Sequence, residues 1–194
     1  MDVSVEGSVM RRAILITLSV LMVAACSASE PAASASGPVM LTVHGDVTDT
    51  NRGAMDADRE PLFARYDMAF DEARSFTRAE LLALEQAEIR VAYPLGGETH
   101  VFTGPHLSEV LDAAGAGDAM AIVSAFDGYQ REIPIADLRD HGVILALTRD
   151  GEPLAIGDYG PAMLVWPRDD DAALAGQNDD DWVWGVFAIE IAPE

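Results

Sequence analysis

The residues best able to do chemistry are few and widely spaced. The 194-residue chain holds one cysteine, Cys26, and four histidines. His44, His100, His106 and His141 lack the close spacing of zinc ligands. There is neither a Gly-x-Ser-x-Gly nucleophile elbow nor a glycine-rich phosphate loop. Carboxylates are so frequent that no glycosidase-like acid pair stands out. Two acidic triplets, Asp169–Asp171 and Asp179–Asp181, offer adjacent oxygens. Calcium sites need oxygens spaced around a tight turn, so these triplets read as solvated positions in an exposed loop from Arg168 to Asp181.

Charge narrows the classes further. The chain has 33 acidic residues against 12 basic ones and a formal charge of −21, and every basic residue is arginine. Asp2, Glu6, Arg11 and Arg12 cancel, so the part after residue 25 carries the whole excess. Such a surface repels nucleic acid and anionic headgroups, whose phosphates call for basic side chains. Nearly half of the residues are apolar, enough for a real core.

Arg11 and Arg12 precede an apolar run, Ala13 to Ala25, that is too short for the ~20 residues of a spanning helix and fits a secretory leader. A start at Met10 would free that leader of Asp2 and Glu6. The residues beside the arginine pair do not complete a twin-arginine motif. The run ends Val23-Ala24-Ala25-Cys26, which fits a lipobox whose cysteine takes lipid and becomes the first mature residue. As the lone cysteine, Cys26 cannot form a disulfide within the molecule. Ser27 to Pro38 is rich in Ser, Ala and Pro and reads as a flexible spacer.

From residue 39 the pattern is of short strands and short helices. Leu41 to Gly45 alternates as a first strand, Asp46 to Glu60 is a polar loop, and Tyr66, Met68 and Phe70 alternate as a half-buried strand. Thr77-Arg78-Ala79-Glu80 is a capping box, flanked by Phe76 and Leu81 in staple positions, and predicts a helix from Arg78 to about Gln86. Ile89, Val91 and Tyr93 form the next strand, ending at Pro94 and Gly96-Gly97. Pro105 opens a second helix in the first position, with Leu107, Val110, Leu111 and Ala114 as its apolar stripe and Gly115 as its stop. Asp127-Gly128 and Asp150-Gly151 mark tight hairpin turns. A short helix from Ile135 to Asp140, a strand from Val143 to Thr148, and strands at Glu152 to Ile156, Ala162 to Trp166 and within Trp182 to Ala192 complete the chain.

The order of four segments carries a resemblance: FTGPHLSEVLDAAGA (Phe102 to Ala116), DGYQREIPIADL (Asp127 to Leu138), GVILALTRDGEPL (Gly142 to Leu154) and YGPAMLVWP (Tyr159 to Pro167). In that order they resemble the oxidoreductase molybdopterin-binding domain, the sulfite-oxidase-like fold, in a short exported version. The resemblance implies a mixed, β-rich α+β domain over residues 39–194, behind a leader (1–25) and a spacer (26–38). It also implies a molybdopterin cofactor whose metal is held by a cysteine in the loop after the Ile89 to Tyr93 strand. That loop, Ala92-Tyr93-Pro94-Leu95-Gly96-Gly97, contains none, and nearby carboxylates do not replace a soft thiolate without changing the metal chemistry.

By the same resemblance, the residues on the cofactor side are Arg90, Tyr93, Thr103, Asp127, Tyr129, Arg131, Asp158 and Tyr159. Two functions follow as expectations: a molybdopterin-dependent oxidoreductase-like protein, degenerate at its metal position, or a non-catalytic envelope module that binds a small ligand or protein partner. The expected location is the periplasmic side of a bacterial envelope, with the membrane as partner through a lipid anchor. If Cys26 carries that anchor, Cys26→Ala shifts the protein from the membrane fraction to the soluble periplasm. A membrane fraction that is unchanged and resists salt washing would refute lipidation.

Overall fold

The computed structural model describes Met1 and residues 37–193. The leader, Cys26 and nearly all of the spacer lie outside the described residues. The domain is strand-rich with short helices. In chain order it contains β1 (Val39–Gly45), α1 (Pro61–Arg65), β2 (Ala73–Thr77), α2 (Arg78–Ala83), β3 (Gln86–Ala92), β4 (Thr99–Pro105), α3 (Leu107–Ala113) and β5 (Met120–Ala125). There follow β6 (Gln130–Pro134), α4 (Ile135–Asp140), β7 (Ile144–Ala146), β8 (Thr148–Arg149), β9 (Glu152–Pro153), β10 (Met163–Val165), a 3-10 turn (Ala172–Leu174) and β11 (Val186–Ala192).

Five strands form the main sheet in the order β2-β1-β11-β5-β6; β1 and β11 run parallel and the other neighbours antiparallel. A four-stranded sheet, β3-β4-β8-β9, and the β10-β7 pair complete the β structure. Leu41 and Val43 of β1, with Ile189 and Ile191 of β11, enter the large core beneath α2, α3 and α4. The other face of β11 is also covered, because Phe187 and Ala188 join Phe63 of α1 and Met68 in a second apolar cluster.

Local signals behave as their chemistry dictates. The Thr77 hydroxyl accepts from the Glu80 amide at 3.2 Å, the Glu80 carboxylate accepts from the Thr77 amide at 2.8 Å, and Phe76 and Leu81 are both buried. The helix stops at Ala83, earlier than predicted. Leu84 is extended, and the Gln86 amide donates to the freed carbonyls of Leu81 and Leu84. Pro105 ends β4 rather than opening α3, whose cap is His106, while Gly115 takes φ +60° just past that helix.

Two expectations about strands are corrected. Tyr66, Met68 and Phe70 are not a strand: α1 turns back at Tyr66, and these side chains alternate because they pack into the second cluster around Phe187. The single strand expected over Val143 to Thr148 is divided, since Ile144–Ala146 pairs with β10 and Thr148–Arg149 pairs with β4.

His44 is buried at 2% exposure on the second-cluster face of β1, its ring 5.0 Å from that of Phe70 and its Nε2 without a hydrogen-bond partner. Burial lowers its pKa from 6.5 to about 4. Between those values the unfolded chain binds a proton here that the folded chain refuses. The stability that a neutral His44 permits is therefore intact above pH 6.5 and is lost as pH falls towards about 4, at up to about 1.4 kcal/mol per pH unit. His44→Leu should remove this part of the acid sensitivity, read as a difference in urea midpoint from the wild type that grows between pH 6.5 and about 4. A difference that stays constant over that window would contradict it.

Candidate functional site

The loop after β3, the β5–β6 turn and the segment leading into β11 enclose a cavity of about 280 Å³. Its aromatic wall is Tyr93, Tyr129, Trp182 and Trp184. Its charged wall is Asp127, Asp179 and Asp180. The hairpin turn supplies two of these residues: Gly128 takes φ +91°, and the Asp127 carboxylate accepts from the Tyr129 backbone amide at 2.9 Å, which fixes the Asp127 side chain.

The rings hold one another. Tyr159 stacks on Tyr93 with centroids 5.6 Å apart and 30° between planes. Trp182 meets Tyr93 edge-on at 5.7 Å, and Trp184 meets Tyr159 edge-on at 6.4 Å. Offset and edge contacts of this kind are the favoured aromatic geometries, worth about 0.5–1.5 kcal/mol per pair beyond burial. Trp182 is fully buried and its indole N–H donates to Gln177, whereas Trp184 and Tyr129 are each more than two-fifths exposed.

Polar contacts tie the acidic loop to this wall. The Tyr93 hydroxyl donates to Asp179 at 3.3 Å, and the Tyr129 hydroxyl donates to the Asp180 carbonyl at 3.0 Å. Arg131 Nε donates to Asp181 at 2.9 Å, and the Trp166 indole N–H donates to the Asp181 carbonyl. Burial, reinforced by the charge and hydrogen bond of Asp179, pushes the Tyr93 phenol up to about 12. Burial also raises the Tyr129 phenol, against the opposing charge of Arg131. The hydrogen bond to Asp181 raises the Arg131 guanidinium above its ordinary value.

The structure thus gathers Tyr93, Asp127 and Tyr129 around one cavity, with Arg131 bound to Asp181 and Tyr159 against Tyr93. Asp158 stands one step away, paired at 3.1 Å with Arg149, whose guanidinium lies over the Tyr159 ring. Arg90 and Thr103 lie on β3 and β4 and do not line the cavity. Sequence reasoning missed Asp179, Asp180, Trp182 and Trp184 because the second acidic triplet read as plain solvation. The available signal was the Trp-Val-Trp alternation immediately after it.

These residues do not suit the group that the family implies. The loop after β3, Ala92 to Gly97, where the resemblance puts a metal-binding thiolate, holds no cysteine, and its Tyr93 is a phenol kept in its protonated form. A cofactor phosphate would face Asp127, Asp179 and Asp180, and the adjacent cation, Arg131, is already committed to Asp181.

Comparison with known proteins agrees with the frame. The oxidoreductase molybdopterin binding domain family matches residues 65–169, more than half of the chain. Among solved structures, the sulfane dehydrogenase SoxCD from Paracoccus pantotrophus is similar, with a TM-score of 0.54 and 19% sequence identity over 79% of this chain. That likeness covers 38% of the SoxCD chain and speaks for the fold. No curated protein matches significantly. With the family match, the α+β frame and the segment order in agreement, the chain belongs to the oxidoreductase molybdopterin-binding domain family.

Proposed function

We propose that this protein is an exported, non-catalytic member of its family, anchored by lipid on Cys26 at the periplasmic face of a bacterial envelope, and that it binds a small ligand in the cavity lined by Tyr93, Tyr129 and Trp184. The observation that carries this reading is Tyr93. It lies in the Ala92 to Gly97 loop, where the resemblance calls for a thiolate and no cysteine is present, its hydroxyl is bonded to Asp179, and a phenol pushed up to about 12 makes a metal-binding phenolate costly at neutral pH. The acidic lining supports the same reading, because it opposes a phosphorylated, anionic cofactor. Export and anchoring are supported by the Arg11-Arg12 leader and the run that ends at Cys26.

The rival reading is a working molybdopterin oxidoreductase, and family membership alone favours it. Metal and pterin content measured together, on protein exported from cells that make the cofactor, separates the two. The expected result is neither molybdenum nor pterin at stoichiometric level. Near one of each per chain would overturn the non-catalytic assignment and restore the enzyme.

A further inference from the structure

The cavity has a definite chemical preference. Its wall combines four aromatic side chains with three carboxylates, and no arginine or histidine is among the residues that line it. The nearby charges are the Arg131–Asp181 and Arg149–Asp158 pairs, each internally compensated. The net field inside is therefore negative, in a space bounded largely by π systems. Anions are repelled, and an uncharged ligand would leave the carboxylates without a counter-charge.

We propose that this cavity binds a small organic cation of the alkylated ammonium class, an inference that rests on the non-catalytic reading above. A cation of this kind carries a diffuse charge on an apolar surface. It interacts with aromatic rings through their quadrupole and with carboxylates at longer range, without needing an oxygen coordination shell. A bare metal ion does need such a shell. Among the described residues no three His, Cys, Asp or Glu side chains are placed to share an ion. Asp179 and Asp180 each direct an oxygen to a partner of their own, Tyr93 and Asn178.

Tyr93, Asp127 and Tyr129 fall within the residues matched by the family, whereas Asp179, Asp180, Trp182 and Trp184 lie beyond them. Tyr93 and Trp182 pack edge-on, Tyr159 backs Tyr93 and Trp184, and hydrogen bonds from Tyr93, Tyr129 and Trp182, with the Trp166 contact to Asp181, hold the wall in place. A pre-formed box loses little entropy when it is filled. Its volume of about 280 Å³ admits a trimethylammonium group with a short substituent.

The probe is choline, titrated into the full mature protein by calorimetry and tryptophan fluorescence, beside its uncharged carbon isostere 3,3-dimethylbutan-1-ol. Choline should bind saturably at millimolar or lower concentration, and the isostere at least about tenfold more weakly. Trp184→Leu and Asp180→Asn, both at exposed positions, should each weaken choline by about threefold or more with an unchanged circular dichroism spectrum. If Trp184→Leu disturbs folding, Asp180→Asn carries the test. No saturable choline binding, equal binding of the isostere, or indifference to both substitutions would overturn the proposal. Metal and pterin are assayed on the same preparation. A cofactor-loaded protein refutes the non-catalytic reading, while a cofactor-free protein that ignores choline refutes the cation site alone.

Discussion

The parallel pairing of β1 with β11 is the constraint on which the domain depends. It seats the first strand between β2 and the last strand, so neither end of the domain can be removed without opening the main sheet. β11 is buried on both faces, through Ile189 and Ile191 on one side and Phe187 and Ala188 on the other. Burying each large side chain contributes about 1.5–3 kcal/mol. The pairing is close at its end: Gly45 takes φ +90° against the Ile191 backbone where a Cβ would collide, and the Asp46 amide donates to the Ile191 carbonyl. Because β11 also pairs with β5, the strand that leads into the Asp127-Gly128 turn, the segment just before β11 is fixed opposite that turn. The cavity is a by-product of strand order.

The acidic excess shapes what such a cavity can be. Arginine is scarce, and several arginines are committed to local neutralisation: Arg52 to Glu60, Arg131 to Asp181, Arg139 to Asp112 and Asp118, Arg149 to Asp158. Partly exposed pairs of this kind add at most about 1 kcal/mol each to stability. Their larger effect is positional, because each fixes a loop and uses up a positive charge. What remains at the cavity is uncompensated carboxylate. In a chain whose family is named for molybdopterin binding, this cavity is lined by three carboxylates and by neither arginine nor histidine.

The sequence discloses whatever is decided within a few residues. The Thr77–Glu80 box, the Asp-Gly turns and the helix at Ile135–Asp140 depend on neighbours in the chain, and they stand where the residues put them. Misreadings begin where the deciding partner is remote. The alternation at Tyr66, Met68 and Phe70 looked like strand pleat, but its cause is Phe187, far along the chain. The change of partner between Ala146 and Thr148 has no local marker. Asp181 finds Arg131 fifty residues away and Asp179 finds Tyr93 across eighty-six, so an apparently solvated triplet became one wall of the site. The segments that carried the family resemblance include the hairpin turn, which the structure forms, and Tyr159, which stands behind the cavity wall against Tyr93 and Trp184. They do not include Asp179, Asp180, Trp182 or Trp184, which lie farther along the chain.

Tyr93 shows why the lining has to be read as a unit. Its hydroxyl satisfies Asp179, its ring stacks with Tyr159 and stands nearly perpendicular to Trp182, and Trp182 in turn is held by Gln177. A thiol placed there alone would lose the ring contacts and leave Asp179 without its donor. The adjacent carboxylate would raise the thiol pKa, the opposite of what a metal-binding thiolate requires. One substitution therefore does not interconvert the two kinds of site: the acidic loop and the tryptophans would have to change with it. The frame can accommodate such a change because most of the lining sits on loops and strand ends at the edge of the core, with Trp182 alone among the four rings fully buried in it. Fold and chemistry are separable here for a concrete reason. The apolar face of β11 fixes the first, and the segment from Asp179 to Trp184 fixes the second.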